Sequence, residues 1–487
     1  MIQQFKAARR VSTPLIAVRT ADPAATIATI AKSFNGTPML RWNIVTGLAG
    51  MNTAGQQAVS NLNVDPTTTT NPVEALGLCG QLPGKALVFF ENIHRVVGEQ
   101  GVSQAVWNLR DEFKQNMRTL VLLAPDLTLP AEIAQDVLLL DEPLPTNDEL
   151  VVIVKETYKA ADLKPPADDV TVRAVDALCG LAAFPAEQVA AMSITRDGLD
   201  FDALWERKRK MIEATPGLSV WRGGETFDQI GGCENAKTFM GRILNGAEPP
   251  RAVVFLDEIE KQFAGTGTDL SGVSTEMTGT LLSWMQDNEA KGVIFIGPPG
   301  AAKSAIAKAT GNTAGIPTIA FDLAGMKGSL VGESGARLRQ SLKVVQAVSQ
   351  GRSLFIATCN SIGVLPPELR RRFTFGTFFF DLPTAEERES IWRIYCKKFG
   401  RGDEVPNDEG WTGAEIRQCC DLAYRLKSSL QEAATYIVPV SRSAADQIDR
   451  LRQQANGRFI SASNPGVYRY DKTAGVSTTA RTISVED

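Results

Sequence analysis

Short apolar runs bounded by polar or turn residues recur through the first 150 positions. PLIAVRT (14–20), PMLRWNIV (38–45), ALVFFENI (86–93), TLVLLA (119–124) and VLLLDEPL (137–144) have the length and side-chain content of buried strands. Helical spacing between them, as at 102–118, predicts a mostly parallel α/β sheet. The polar stretch NVDPTTTTNPVEA (63–75) has no period and reads as a loop. From 146 the pattern turns helical, and Thr146-Asn147 suits the start of the helix TNDELVVIVKETYKAA.

The same plan then repeats. Strands are expected at 252–257, 293–296, 317–322, 353–358 and 377–381, and helical spacing resumes at TAEERESIWRIYCKKF (384–399). The expected fold class is therefore α/β: two tandem units, each a parallel sheet flanked by helices with a small helical lid. Its divisions are an α/β domain at 1–145, a lid and linker at 146–222, and a second α/β core at 223–383. A C-terminal lid follows at 384–460, then a polar tail or arm at 461–487, where large apolar residues become scarce.

Composition narrows the function. With 44% hydrophobic and 22% charged residues, the 487-residue chain is ordinary globular material, and its net charge of −4 weighs against a nucleic-acid surface. No apolar run reaches the roughly 18 residues of a membrane helix, and the N-terminal MIQQFKAARRVSTPL has no export-signal core. Seven cysteines without a Cys-x-x-Cys pair suggest reduced thiols in a cytoplasmic protein. The single histidine, His94, argues against His-based zinc sites and Ser-His-Asp triads. Carboxylates, Lys, Arg and a metal ion are left to carry any catalysis.

Two segments suggest what that catalysis is. VIFIGPPGAAKS (293–304) is a strand leading through a glycine-containing loop toward a helix, an arrangement that points backbone N–H groups at phosphates. Pro299, Gly300, Ala301, Ala302 and Ala305 would surround the phosphates of ATP, Lys303 would reach the β and γ phosphates, and Ser304 would hold Mg²⁺. Ala302 stands where glycine is usual, which is tolerable if its φ is negative. AVVFLDEIE (252–260) ends a strand in paired acids: Asp257 to hold the metal through water, Glu258 to orient and deprotonate the attacking water. An ordinary Gly/Pro turn and a solvated strand end are the bland alternatives, and the pairing of the two motifs weighs against both.

Downstream, SLFIATCNS (353–361) ends near Asn360, whose amide is suited to sense the γ-phosphate, and LPPELRRRF (365–373) carries Arg370, Arg371 and Arg372. Consecutive arginines are usually a solvated loop, but here they are placed to act on phosphates of a neighbouring subunit.

Together FDQIGG (227–232), GPPGAAKS, DEIEK, ATCNS, LPPELRRRF and WTGAEI (411–416) resemble an AAA+ ATPase. LVGESGARLRQSLKVVQA and VPVSRSAADQIDRLRQQANGRFISAS resemble the AAA family named after a hypothetical chloroplast reading frame, a likeness that spans nearly the whole chain. The resemblance implies that Ile230 and Gly231 contact adenine, that Gly413 and Ala414 pack near the nucleotide in place of a charged sensor, and that Asn360 is the first sensor. It makes Arg371 and Arg372 the best arginine-finger candidates and puts Leu330 in a substrate-gripping loop, for which an exposed turn is an equal alternative. It also implies a homo-oligomer, a hexameric ring or a helical assembly, acting on an unknown protein client. The first unit has no Gly-Lys-Ser/Thr, and Glu91-Asn92 replaces an acidic pair, so neither hydrolysis nor nucleotide is expected there.

The order of motifs departs from that family, because the acidic strand precedes the phosphate loop. We read this as a permutation: a strand–helix module transposed ahead of the loop, with the acids and the loop still meeting at the carboxyl ends of neighbouring strands. Such a rearrangement suits a specialised branch, a viral one included. Three function classes follow: an ATP-driven remodelling oligomer, an ATP-binding scaffold with little turnover, and a DNA-associated motor, the last disfavoured by charge.

Overall fold

The computed structural model describes residues 1–64, 68–125, 127–263, 273–323, 325–326, 333–363, 367–402, 404–470 and 481–482. The chain forms two compact units, Met1–Phe201 and Asp202–Asp487. Among the described residues, all seven cysteines are free, and no helix is long and apolar enough to cross a membrane.

The first unit is built on strands β1 (Leu15–Arg19), β2 (Met39–Asn43), β3 (Gly47–Gly50), β4 (Leu87–Glu91), β5 (Thr119–Ala124) and β6 (Leu138–Asp141). Their lateral order is β3-β2-β4-β5-β1-β6, parallel except for β3. Alternate residues feed two separate cores. Leu15, Ala17, Val88, Phe90 and Leu120 enter one, and Ile16, Val18, Leu87, Phe89 and Val121 the other, as expected of a parallel sheet covered on both faces.

The strand expected to run to 45 stops at Asn43, because the Asn43 carboxamide accepts the Val45 and Thr46 amides at 3.0 and 2.9 Å and turns the chain into β3. After β6, Thr146 and Glu149 form a reciprocal cap that starts the helix Asn147–Ala160. A short hairpin of β7 (Ile194–Thr195) and β8 (Gly198–Leu199) lies near the end of this unit.

The second unit holds β9 (Leu218–Val220), β10 (Ala252–Leu256), β11 (Lys291–Ile296), β12 (Thr318–Phe321), β13 (Ser353–Cys359), β14 (Thr377–Phe379) and β16 (Ile460–Ser461). They form one sheet, ordered β16-β14-β11-β13-β10-β12-β9, parallel except for β9. The acidic strand β10 and the loop strand β11 are thus not immediate neighbours, since β13 lies between them. Helices Val273–Asp287 and Glu333–Ser349 cover the face presenting Val254, Ile294 and Phe355. Helices Glu234–Leu244 and Lys303–Ala314 cover the face presenting Val253, Phe295 and Ile356.

Two boundaries differ from expectation. The sheet takes in β9, ahead of the start expected at 223, because Leu218–Val220 pairs antiparallel with β12. The polar tail expected from 461 also begins later. Ser461 pairs with β14, the Tyr468 ring lies 4.5 Å from Phe379, and its hydroxyl donates to Asp381 Oδ2 at 2.5 Å. Farther along, β17 (Arg481–Thr482) pairs antiparallel with β15 (Glu404–Val405). Helices Ala385–Phe399 and Gly413–Leu426 build the lid, each started by a Thr-x-x-Glu cap at Thr384 and Thr412.

Candidate active site

The loop after β11 is held by close backbone packing. A Cβ on Gly297 would stand 2.0 Å from the Phe380 carbonyl oxygen, and one on Gly300 would stand 2.7 Å from Thr412 Oγ1 of the lid. Gly300 has φ +80°, a conformation glycine adopts without strain. Ala302, expected to need a negative φ, instead has φ +65°. Its methyl is carried in the left-handed region, at a cost of about 1–3 kcal/mol.

Lys303 opens the helix Lys303–Ala314 and is 6% exposed. Its ammonium donates to Gly297 O at 2.8 Å and Pro298 O at 2.7 Å, so it lies across its own loop. Burial pulls its pKa down to about 8, opposed chiefly by the negative charge of Glu260, with Asp257 and Glu258 adding to it.

The acids reach this loop across β13. Asp257 Oδ1 accepts from Ser304 Oγ at 2.8 Å and from Thr358 Oγ1 at 2.6 Å, while Thr358 Oγ1 accepts the Glu258 amide at 2.9 Å. Glu258 itself has φ +45°; a bulky residue held there marks a local arrangement imposed by its surroundings. Its Oε1 accepts from Asn360 Nδ2 at 3.2 Å, and its Oε2 pairs with Lys261 Nζ at 2.5 Å. Asn360 also gives its backbone N–H and its Nδ2 to Glu260 Oε1, at 3.0 and 2.8 Å.

Glu258, Thr358 and Asn360 border a cavity of about 570 Å³, into which Ile230, Gly231, Pro299 through Ala305, Gly413 and Ala414 also face. Gly231 sits tight against the lid: a Cβ there would come within 2.6 Å of Ile391 Cγ1. The residues fit a magnesium nucleotide. Ser304 and Asp257 present hard oxygen donors to one point, and a buried cation with a helix N-terminus faces the space where phosphates would lie.

The arginine cluster stands apart from this cavity, on the helix Pro367–Arg372. Arg371 is exposed, Arg372 donates to Gln286 Oε1 at 2.5 Å, and Arg370 has a buried Nε without a hydrogen-bond partner among the described residues. Leu330 lies outside the described residues.

Three participants were not singled out in the sequence. Thr358 was detectable, since a strand's period of two puts it on the same face as Asn360. Glu260 follows the acidic pair in a segment that reads simply as the start of a helix. Arg417 lines the cavity from the lid helix, where the Gly413-Ala414 pair had suggested that no charged residue took part.

A parallel sheet carrying a glycine loop with its lysine and serine, an Asp-Glu pair and a polar residue on the intervening strand lies beneath a helical lid, an arrangement suited to holding a nucleotide. The chain belongs to the AAA+ ATPase family. Residues 1–142 match the family described as SpoVK-like AAA ATPase, N-terminal domain, and residues 293–351 match the ATPase family associated with various cellular activities.

The chain is homologous to the proteins named uncharacterized AAA domain-containing protein ycf46. That of Guillardia theta is 22% identical over 525 residues, covering 94% of this chain and 96% of the relative. That of Trieres chinensis is 24% identical over 470 residues, covering 83% and 88%. A shorter similarity, 24% over 184 residues and 27% of this chain, is to the ATP-dependent zinc metalloprotease FtsH of Rhodothermus marinus.

Proposed function

We propose that this chain hydrolyses Mg²⁺-ATP at the cavity beneath the lid and uses the cycle to remodel a macromolecular client. We further propose that each site is completed by a neighbouring copy in a ring or helical oligomer. The observation carrying the hydrolytic reading is the convergence of Lys303, Ser304, Glu258 and Asn360, drawn from three strand ends, on one cavity, with Asp257 hydrogen-bonded to Ser304. Bound Mg²⁺ would neutralise phosphate charge. The chain's own residues would place the phosphates against the loop, hold the attacking water at Glu258 and take its proton there. The exposed Arg371, outside its own cavity, supports a role on a neighbour's nucleotide.

We also infer that the β10 strand and its helix form a transposed module. Two observations support this. The family match begins at 293, after the acidic strand. In addition, the two sheets of the chain place their central strands alike, β6-β1-β5-β4-β2 and β14-β11-β13-β10-β12, yet only in the second does the strand two places from the loop strand come before it in the chain.

The first unit is proposed to bind no nucleotide. Where a phosphate would meet the helix Pro23–Ser33, Asp22 caps it by accepting the Ala25 amide. Glu142 accepts the hydroxyls of Thr20 and Thr26 at the same strand end, so negative charge already holds that place.

Steady-state ATP hydrolysis measured across protein concentration tests the reading. Turnover rising cooperatively with concentration supports a site shared between subunits. ATP binding with no turnover would replace the motor by a nucleotide-controlled scaffold.

A further inference from the structure

Asn360 is held by a carboxylate that has no part in the hydrolysis just outlined. Glu260 is 9% exposed and is not among the residues that line the cavity. One of its oxygens, Oε1, accepts two bonds from the same residue: the Asn360 backbone N–H at 3.0 Å and its Nδ2 at 2.8 Å. The other, Oε2, is buried with no hydrogen-bond partner among the described residues. The neighbouring Cys359 thiol gives its hydrogen to Ser361 O at 2.8 Å.

An amide nitrogen carries two hydrogens. Both of those on Asn360 Nδ2 go to carboxylates, one to Glu260 at 2.8 Å and the other to Glu258 Oε1 at 3.2 Å. The two bonds differ in setting. The Glu260 bond is short, buried and doubled by the backbone N–H. The Glu258 bond is longer, and its acceptor is 43% exposed and shared with Lys261.

We propose that Glu260 is a positioning residue: it fixes the Asn360 amide so that one hydrogen is committed and the other alone passes between Glu258 and a terminal phosphate. When a phosphate oxygen takes that hydrogen, Glu258 is released to accept from water. Without Glu260, the amide of Asn360 turns freely and the hydrogen is no longer aimed. The proposal rests on the nucleotide-binding reading above, and its test does not need turnover.

The experiment is a double-mutant cycle on the preference for a non-hydrolysable ATP analogue over ADP, read by equilibrium titration of the full chain with Mg²⁺. Asn360→Ala is expected to reduce the preference about tenfold, the loss of one hydrogen bond to a charged group. Glu260→Met should reduce it similarly, the double variant should fall within about twofold of Asn360→Ala alone, and Glu260→Gln, which keeps an acceptor oxygen, should restore most of it. A Glu260→Met chain with the native preference, or losses that multiply in the double variant, overturns the role of Glu260 and leaves the ATPase reading intact. A native chain that binds neither nucleotide overturns both.

Discussion

Ser304 and Asp257 are joined by a hydrogen bond of 2.8 Å although a whole strand, β13, separates the strands that carry them. Thr358 on that intervening strand donates to the same carboxylate oxygen, so Asp257 is aimed at the loop by two hydroxyls, both from the β13 side of its strand. Asp257→Asn keeps the size and removes the charge. Its nucleotide affinity in Mg²⁺ should fall by about tenfold or more, with little change in EDTA, because the acid acts on the ion. Equal losses in both conditions would show that Asp257 shapes the loop and has no part in metal binding.

Glu258→Gln should bind ATP as the native chain does and lose turnover by a factor of about 10²–10⁴. Retained turnover would move the general base elsewhere, and single-turnover hydrolysis of labelled ATP is the measurement that decides.

Of the three arginines, Arg371 is the one left exposed, whereas Arg372 is engaged with Gln286. Arg371→Ala should lower turnover by on the order of 10³-fold with the fold unchanged. Mixing it with Glu258→Gln should restore measurable turnover, since some neighbouring pairs then contribute one intact Glu258 and one intact Arg371. No recovery on mixing would place both residues in one subunit's chemistry.

The pKa of Lys303 gives two opposite pH dependences. In the nucleotide-free chain it is drawn from the ordinary 10.5 to about 8, mainly by burial. The unfolded chain therefore binds more protons between those values, and this residue's contribution to stability rises with pH across that window. Nucleotide binding runs the other way, because phosphates favour the charged ammonium. Affinity should be flat near neutrality and weaken above about pH 8, by up to about tenfold per unit. Calorimetry at about pH 8.5 in two buffers of different ionisation heat should detect proton uptake on binding. Affinity unchanged to about pH 9.5 would mean that Lys303 stays charged throughout.

Ala302→Gly relieves a left-handed alanine. The second unit should be stabilised by about 1 kcal/mol, roughly a 2 °C rise in its melting temperature. A lower melting temperature would mean that the methyl packs more favourably than its backbone is strained.

Much of this site was legible because its chemistry sits in contiguous motifs. Lys303, Ser304, Asp257 and Glu258 were marked by apolar strands that end in charged or glycine-rich turns. The remainder depends on contacts between distant segments. Nothing local predicts that Asn360 meets Glu260, 100 residues earlier. Strands of two or three residues such as β9 and β16 are too short to show a period. The positive φ of Ala302 is not visible locally, because alanine alone favours a negative value and the surrounding loop overrides that preference.

The chain order of the second sheet also bears on how the protein is made. Ala252–Leu256 is fully apolar and buried, and its partners in the sheet are Thr318–Phe321 and Ser353–Cys359. The first of these is synthesised about 60 residues later. At roughly 5–20 residues per second, the strand waits about 3–12 s for its first partner. During that interval it is a short, sticky segment on a nascent chain. In the first unit the corresponding strand β4 follows its neighbour β2 in the chain, and the strand that waits is instead β1, whose first partner β5 comes about 100 residues later. Chain order thus gives each unit one early apolar strand exposed on the nascent chain, β1 in the first and β10 in the second, at a segment that the finished fold hides.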